Sequence, residues 1–116
     1  GIVTNKPYVY ASKIIEESPD LSSCMTLVCP DHLKKAKPSP EGILLACNQL
    51  NLNPKEVIYF GDHQKDLMAS RAAGTLTAAC TYGYALKSSD LENDDIEVRN
   101  LLEFSKTNFK SLDEHA

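Results

Sequence analysis

Two aspartates, Asp62 and Asp66, stand four residues apart just after the apolar run Val57-Ile58-Tyr59-Phe60 and Gly61. The run reads as a short buried strand, and a glycine at its end permits a sharp turn without a Cβ clash. Asp62 then falls at the strand's carboxyl end, where ligands bind in open α/β sheets. Carboxylates so placed suit a hard cation such as Mg²⁺, which takes oxygen ligands and keeps several waters. The same letters also fit a plain strand and acidic helix start, with Asp66 complementing the helix dipole. Two further places carry groups able to handle charge. Thr4 and Asn5 close the opening run Ile2-Val3, and Lys37 precedes Pro38. A hydroxyl with nearby amides, an ammonium and cation-holding carboxylates together describe a phosphate site. Taken singly, each has a plainer reading: a strand threonine, a turn asparagine, a solvated lysine.

The elements that must position these groups alternate along the chain. Gly1 to Asn5 reads as a buried strand already under way, which suggests a missing upstream segment. Pro7 can sit in a first helical turn, and Tyr8, Ala11, Ile14 and Ile15 recur at helical spacing. Met25 to Cys29 is a second strand, stopped by Pro30, and residues 30 to 38 form a lysine-rich loop. Ser39-Pro40-Glu41 is a helix start with a serine cap, and Ile43, Leu44, Ala46, Cys47 and Leu50 form its apolar face. After the central strand comes a short alanine-rich helix, Leu67 to Ala73, closed by Gly74. Leu76 to Thr81 is the last strand. This order implies a parallel sheet with covering helices. Residues 85 to 116 are more polar; Leu101, Leu102 and Phe104 suggest one docking helix before a loose tail. The expected division is a core over 1–104 and a polar tail over 105–116.

Composition narrows the function classes. A chain of 116 residues with net charge −4 is one domain. It lacks the clustered basic surface that nucleic-acid binding needs. No stretch approaches the roughly 20 apolar residues of a membrane span. Cys24, Cys29, Cys47 and Cys80 form no CxxC pair and sit mostly in apolar runs, which favours buried thiols in a reducing compartment, the cytosol. His32 and His115, in a loop and in the tail, have no partner legible in the sequence; His63, between Asp62 and Asp66, either touches the site or faces solvent, and solvent is the expectation. Tyr82 and Tyr84 are expected to pack under the end of the sheet.

The order of the three charged places resembles the haloacid dehalogenase superfamily of phosphotransferases. Ile2-Val3-Thr4-Asn5 is similar to its second motif, Lys37-Pro38-Ser39-Pro40 to its third, and Gly61-Asp62-x-x-x-Asp66 to its fourth. Thr4-Asn5-Lys6-Pro7, Arg71-Ala72-Ala73-Gly74 and Tyr82-Gly83-Tyr84 are similar to phosphoglycolate phosphatases and near relatives. The resemblance implies phosphate-ester hydrolysis through an aspartyl-phosphate, with Mg²⁺ and no organic cofactor. It gives Thr4 and Asn5 the transferring phosphoryl group, Lys37 the neutralising charge and Asp62 the metal. Asp66 would complete the metal's shell, directly or through water. The implied partner is a small phosphorylated metabolite, with neither nucleic acid nor membrane.

One departure is large. The superfamily's first motif, an apolar strand ending Asp-x-Asp-Gly-Thr, carries the nucleophile, and no such sequence exists here. Asp20, Asp31, Asp90, Asp94, Asp95 and Asp113 all sit in polar or proline-bounded contexts. The expected fold is therefore a Rossmann-like parallel sheet with flanking helices, lacking both the central first-motif strand and the substrate-selecting cap domain. By analogy the absent strand lies between those ending at Thr4 and Asp62. Unpaired strand edges there invite self-association. The alternatives are another phosphatase or a phosphomutase of the superfamily, or a non-catalytic module that binds phosphate or a partner.

Overall fold

The computed structural model describes residues 1–21, 23–92, 94–100 and 102. Among these residues the strands and α-helices with defined ranges follow in the order β1 (Ile2–Val3), α1 (Tyr8–Glu17), β2 (Leu27–Val28), α2 (Glu41–Gln49), β3 (Ile58–Gly61), α3 (Gln64–Ala73), β4 (Leu76–Cys80) and β5 (Ile96–Val98). All strand pairs are parallel, as the alternation of elements implies. Ile2 and Val3 pair with Leu27 and Val28. Ile58 to Gly61 pair with Leu76 to Ala79, and Ala78 to Cys80 with Ile96 to Val98. Among the described residues the sheet is therefore in two parts, β1-β2 and β3-β4-β5, with no ladder between β1 and β3. A groove of about 220 Å³ runs between those two edges, lined by Gly1, Ile2, Val3, Ile58, Tyr59 and Phe60.

The core sits where α2 and α3 cover one face. Ile43, Cys47, Ala69 and Ala73 are buried together, with Val3, Val57 and Tyr59 packed against them. Small side chains on α3 let it lie close to β4. There Ser70 makes hydroxyl–hydroxyl hydrogen bonds to Thr75 at 2.7 Å and Thr77 at 2.6 Å, so three buried polar groups satisfy one another. Gly74 ends α3 with φ +82°, a left-handed conformation that glycine adopts without a Cβ penalty.

Several expectations need correction. The strand expected over Met25 to Cys29 is only Leu27–Val28, and Met25 is exposed. On α1 the stripe of Tyr8, Ala11, Ile14 and Ile15 is not a buried face: Ala11 alone is buried, and Tyr8 and Ile14 are exposed. The helix forms, but only one small side chain reaches the core. Pro40, rather than Ser39, occupies the cap position of α2, while Ser39 Oγ accepts from the Glu41 amide at 3.3 Å. Leu44 on the same helix is exposed. Tyr82 and Tyr84 do not pack under the sheet; Tyr84 is fully exposed. β5 lies in a stretch read as merely polar. Of the expected docking helix, Leu102 is exposed, whereas Leu101, Phe104 and the tail lie outside the described residues.

Candidate active site

The carboxyl ends of β1 and β3 and the loop after β2 meet at one place. β1 delivers Thr4, whose amide continues the ladder to Val28 O at 3.0 Å. Thr4 Oγ1 accepts from the Lys6 amide at 3.1 Å, so its own proton remains available to donate. Asn5 is exposed, and its Nδ2 donates to the Lys37 carbonyl at 3.4 Å.

Lys37 arrives on a loop held at both ends. The amides of Lys34 and Lys35 donate to the Glu41 carboxylate at 2.9 and 3.0 Å, tying the loop to the first residue of α2. Asp31 reaches back to accept from the Tyr8 amide at 2.9 Å. It thereby supplies the carboxylate that the first turn of α1 lacks. That hydrogen bond is the main cause holding the Asp31 pKa below its usual value. His32 also has partners: Nδ1 accepts from the Cys29 amide at 3.1 Å, and its ring stands edge-on to Tyr8.

The Lys37 side chain turns inward and is only 12% exposed. Its Nζ donates to Val3 O at 3.2 Å, Tyr59 Oη at 3.1 Å and Asp66 Oδ1 at 2.5 Å. An ammonium has three N–H donors, and all three are engaged. Burial works against the charge, but the hydrogen bonds to Asp66 and Tyr59 outweigh it, and the Lys37 pKa is raised.

Asp66 comes from the first turn of α3 and is packed against Gly61. A Cβ on Gly61 would lie 2.2 Å from Asp66 Cβ, so the glycine is what lets this carboxylate approach the strand. Asp66 Oδ2 accepts from the Asp62 amide at 3.2 Å, holding the turn that presents Asp62 to solvent. His63 caps α3, its Nδ1 accepting from the Lys65 amide at 3.2 Å, and it is exposed as expected.

Asn5, Lys37, Asp66 and Asp62 are thus linked by successive hydrogen bonds, and Thr4 joins them as the chain neighbour of Asn5 and of Val3, whose carbonyl accepts from Lys37. Tyr59 is the member that sequence reasoning missed, because an aromatic inside an apolar run reads as core. A larger depression of about 680 Å³, with Arg71, Thr77, Glu92 and Asp95 in its walls, contains none of these residues. Arg71 there is already paired with Asp95 and Glu92.

A family model for haloacid dehalogenase-like hydrolases matches residues 1–80. The chain belongs to that family. A Pseudomonas putida N-acetylmuramic acid 6-phosphate phosphatase is 42% identical over 108 residues, covering 91% of this chain and 48% of that protein. A Xanthomonas campestris phosphoglycolate phosphatase is 36% identical over 90 residues, covering 78% of this chain and 41% of that protein. In fold, the chain is similar to the crystal structure of a haloacid dehalogenase-superfamily hydrolase from Ehrlichia chaffeensis. There the TM-score is 0.70 at 24% identity, over 88% of this chain and 45% of that one. The chain spans about half the length of the relatives it matches, or somewhat less.

The residues present fit a hard cation held by few protein ligands. Asp62 offers an exposed carboxylate that accepts no hydrogen bond among the described residues. Both Asp66 oxygens already have partners. Among the described residues no three of His, Cys, Asp and Glu converge. Mg²⁺ is commonly bound through only one or two carboxylates.

Proposed function

We propose that this chain forms the phosphate- and cation-binding half of a Mg²⁺-dependent phosphate-monoester hydrolase. The observation that carries the reading is the Lys37 ammonium, inserted between the ends of β1 and β3 and paired with Asp66, beside the exposed Asp62. The Thr4 hydroxyl and the Asn5 amide hold phosphoryl oxygens, and Lys37 supplies the nearby positive charge. Asp62 holds the cation, which when bound neutralises charge on the phosphate. Asp66 acts by fixing Lys37 and the turn at Asp62. Each of its oxygens accepts one hydrogen bond and keeps a second lone pair, through which it would touch the cation directly or through water. The roles are those of positioning and charge stabilisation, which dominate phosphoryl transfer.

The carboxylate nucleophile is not among these groups, so the chain by itself does not turn over phosphate esters. The names of the relatives make N-acetylmuramic acid 6-phosphate and phosphoglycolate the first substrates to try. Four free cysteines, three of them buried, support a reducing, cytoplasmic setting. The division into a core over 1–104 and a tail over 105–116 remains part of this reading.

A chimera tests it. The part of the Pseudomonas putida relative that the chain does not match is joined to residues 1–116. Phosphate release from p-nitrophenyl phosphate and the two named substrates is then measured with and without Mg²⁺. The expected result is Mg²⁺-dependent release by the chimera, lost in Lys37→Ala and Asp62→Asn, and none from the chain alone. Steady release by the purified 116-residue chain, abolished by Asp62→Asn, would overturn the half-site reading. A folded chimera with no phosphate release would overturn the hydrolase.

A further inference from the structure

We propose that Tyr59 is a positioning residue for Lys37, its hydroxyl fixing where the ammonium sits while its ring anchors the hydroxyl. The significance of that placement rests on the phosphatase reading; the placement itself does not. The ring of Tyr59 packs on Ile43, Cys47, Ala69 and Ala73, the cluster between α2, α3 and the sheet. A phenylalanine would fill that space equally well, so packing does not account for the oxygen. Tyr59 Oη donates to Val3 O at 3.2 Å and accepts from Lys37 Nζ at 3.1 Å, and Nζ lies 5.7 Å from the ring centroid.

The geometry has a reason in the chemistry of lysine. Its ammonium ends a flexible four-carbon stem and is a point charge with rotatable donors. One partner, Asp66, sets a distance but leaves the charge free to swing about it. Two further acceptors, Val3 O and Tyr59 Oη, themselves joined by a hydrogen bond, leave a single position. Tyr59 is the one of the three whose accepting atom is carried on a side chain packed against the apolar cluster. It also joins β3 to β1, two strands with no ladder between them among the described residues.

The test uses the 116-residue chain without substrate, so an inactive protein leaves the result readable. Brief acetylation by acetic anhydride at one fixed pH is followed by mass spectrometry, with the exposed Lys34 and Lys35 as internal references. In the wild type, Lys37 is expected to react much more slowly than either reference. In Tyr59→Phe its rate rises about fivefold relative to them, the scale of one hydrogen bond of ordinary net strength. The thermal midpoint falls by no more than a few degrees, because the ring is kept. Tyr59→Leu, which removes ring and hydroxyl, raises the rate at least as far and lowers the midpoint more. An unchanged Lys37 rate in Tyr59→Phe overturns the proposal, whatever happens to the midpoint, and assigns Tyr59 to packing. Wild-type Lys37 reacting as fast as Lys34 overturns it as well. A Tyr59→Phe chain whose lysines all react alike has lost its fold and counts against a local role for the hydroxyl.

Discussion

At the scale of single residues, the Lys37–Asp66 pair decides the local energetics. Both side chains are about nine-tenths shielded, with 12% and 10% exposure. Breaking a buried pair from one side leaves the other charge uncompensated. Asp66→Asn keeps the shape and removes the charge, and is expected to cost about 3 kcal/mol in urea unfolding. Folding raises the Lys37 pKa above its ordinary 10.5. The contribution of the lysine's charge is therefore fully present across the neutral range and is lost as pH climbs through the raised value. The penalty of the substitution should consequently be the same throughout the neutral range. A cost that vanished at neutral pH would contradict the pairing.

At the scale of elements, β4 and β5 are tied by more than their ladder. Glu97 accepts from Thr81 at 2.8 Å, Ser88 at 2.9 Å and Arg99 at 2.9 Å. The Arg99 hydrogen bond, followed by those from Thr81 and Ser88, lowers its pKa from 4.5 to about 2. A depressed carboxyl contributes stability above its unfolded value and loses it as pH falls through the folded one. The wild type should therefore lose more stability than Glu97→Gln between pH 4.5 and about 2. Equal losses in both proteins would remove Glu97 from the acid response. The sequence made some elements plain and hid others. β3, α3 and β4 were legible because apolar or alanine-rich runs end in glycine or turn residues. β5 was not, because Ile96-Glu97-Val98 is too short for its alternation to stand out among acids. α1 was legible as a helix but not as an exposed one, since periodicity shows that a face exists and not what covers it. The charged groups at the strand ends were legible by type and order. The hydroxyl of Tyr59 and the partners of His32 were not, because each depends on segments distant in the chain.

At the scale of the whole molecule, the two-part sheet matters most. Among the described residues no ladder joins the facing edges of β1 and β3, and a strand edge outside a ladder can template further pairing. Sedimentation equilibrium should show an average mass rising with concentration above the 12.8 kDa of one chain. A single cooperative monomer at every concentration would count against that. Among the described residues, β1-β2 has two paired positions and β4 has neighbours on both sides. Amide protons at Ala78 and Ala79 should accordingly be the last to yield to deuterium, and those of Ile2 and Thr4 among the first. Local opening then begins at the strand that carries Thr4, while the scaffold beneath Asp62 stays closed.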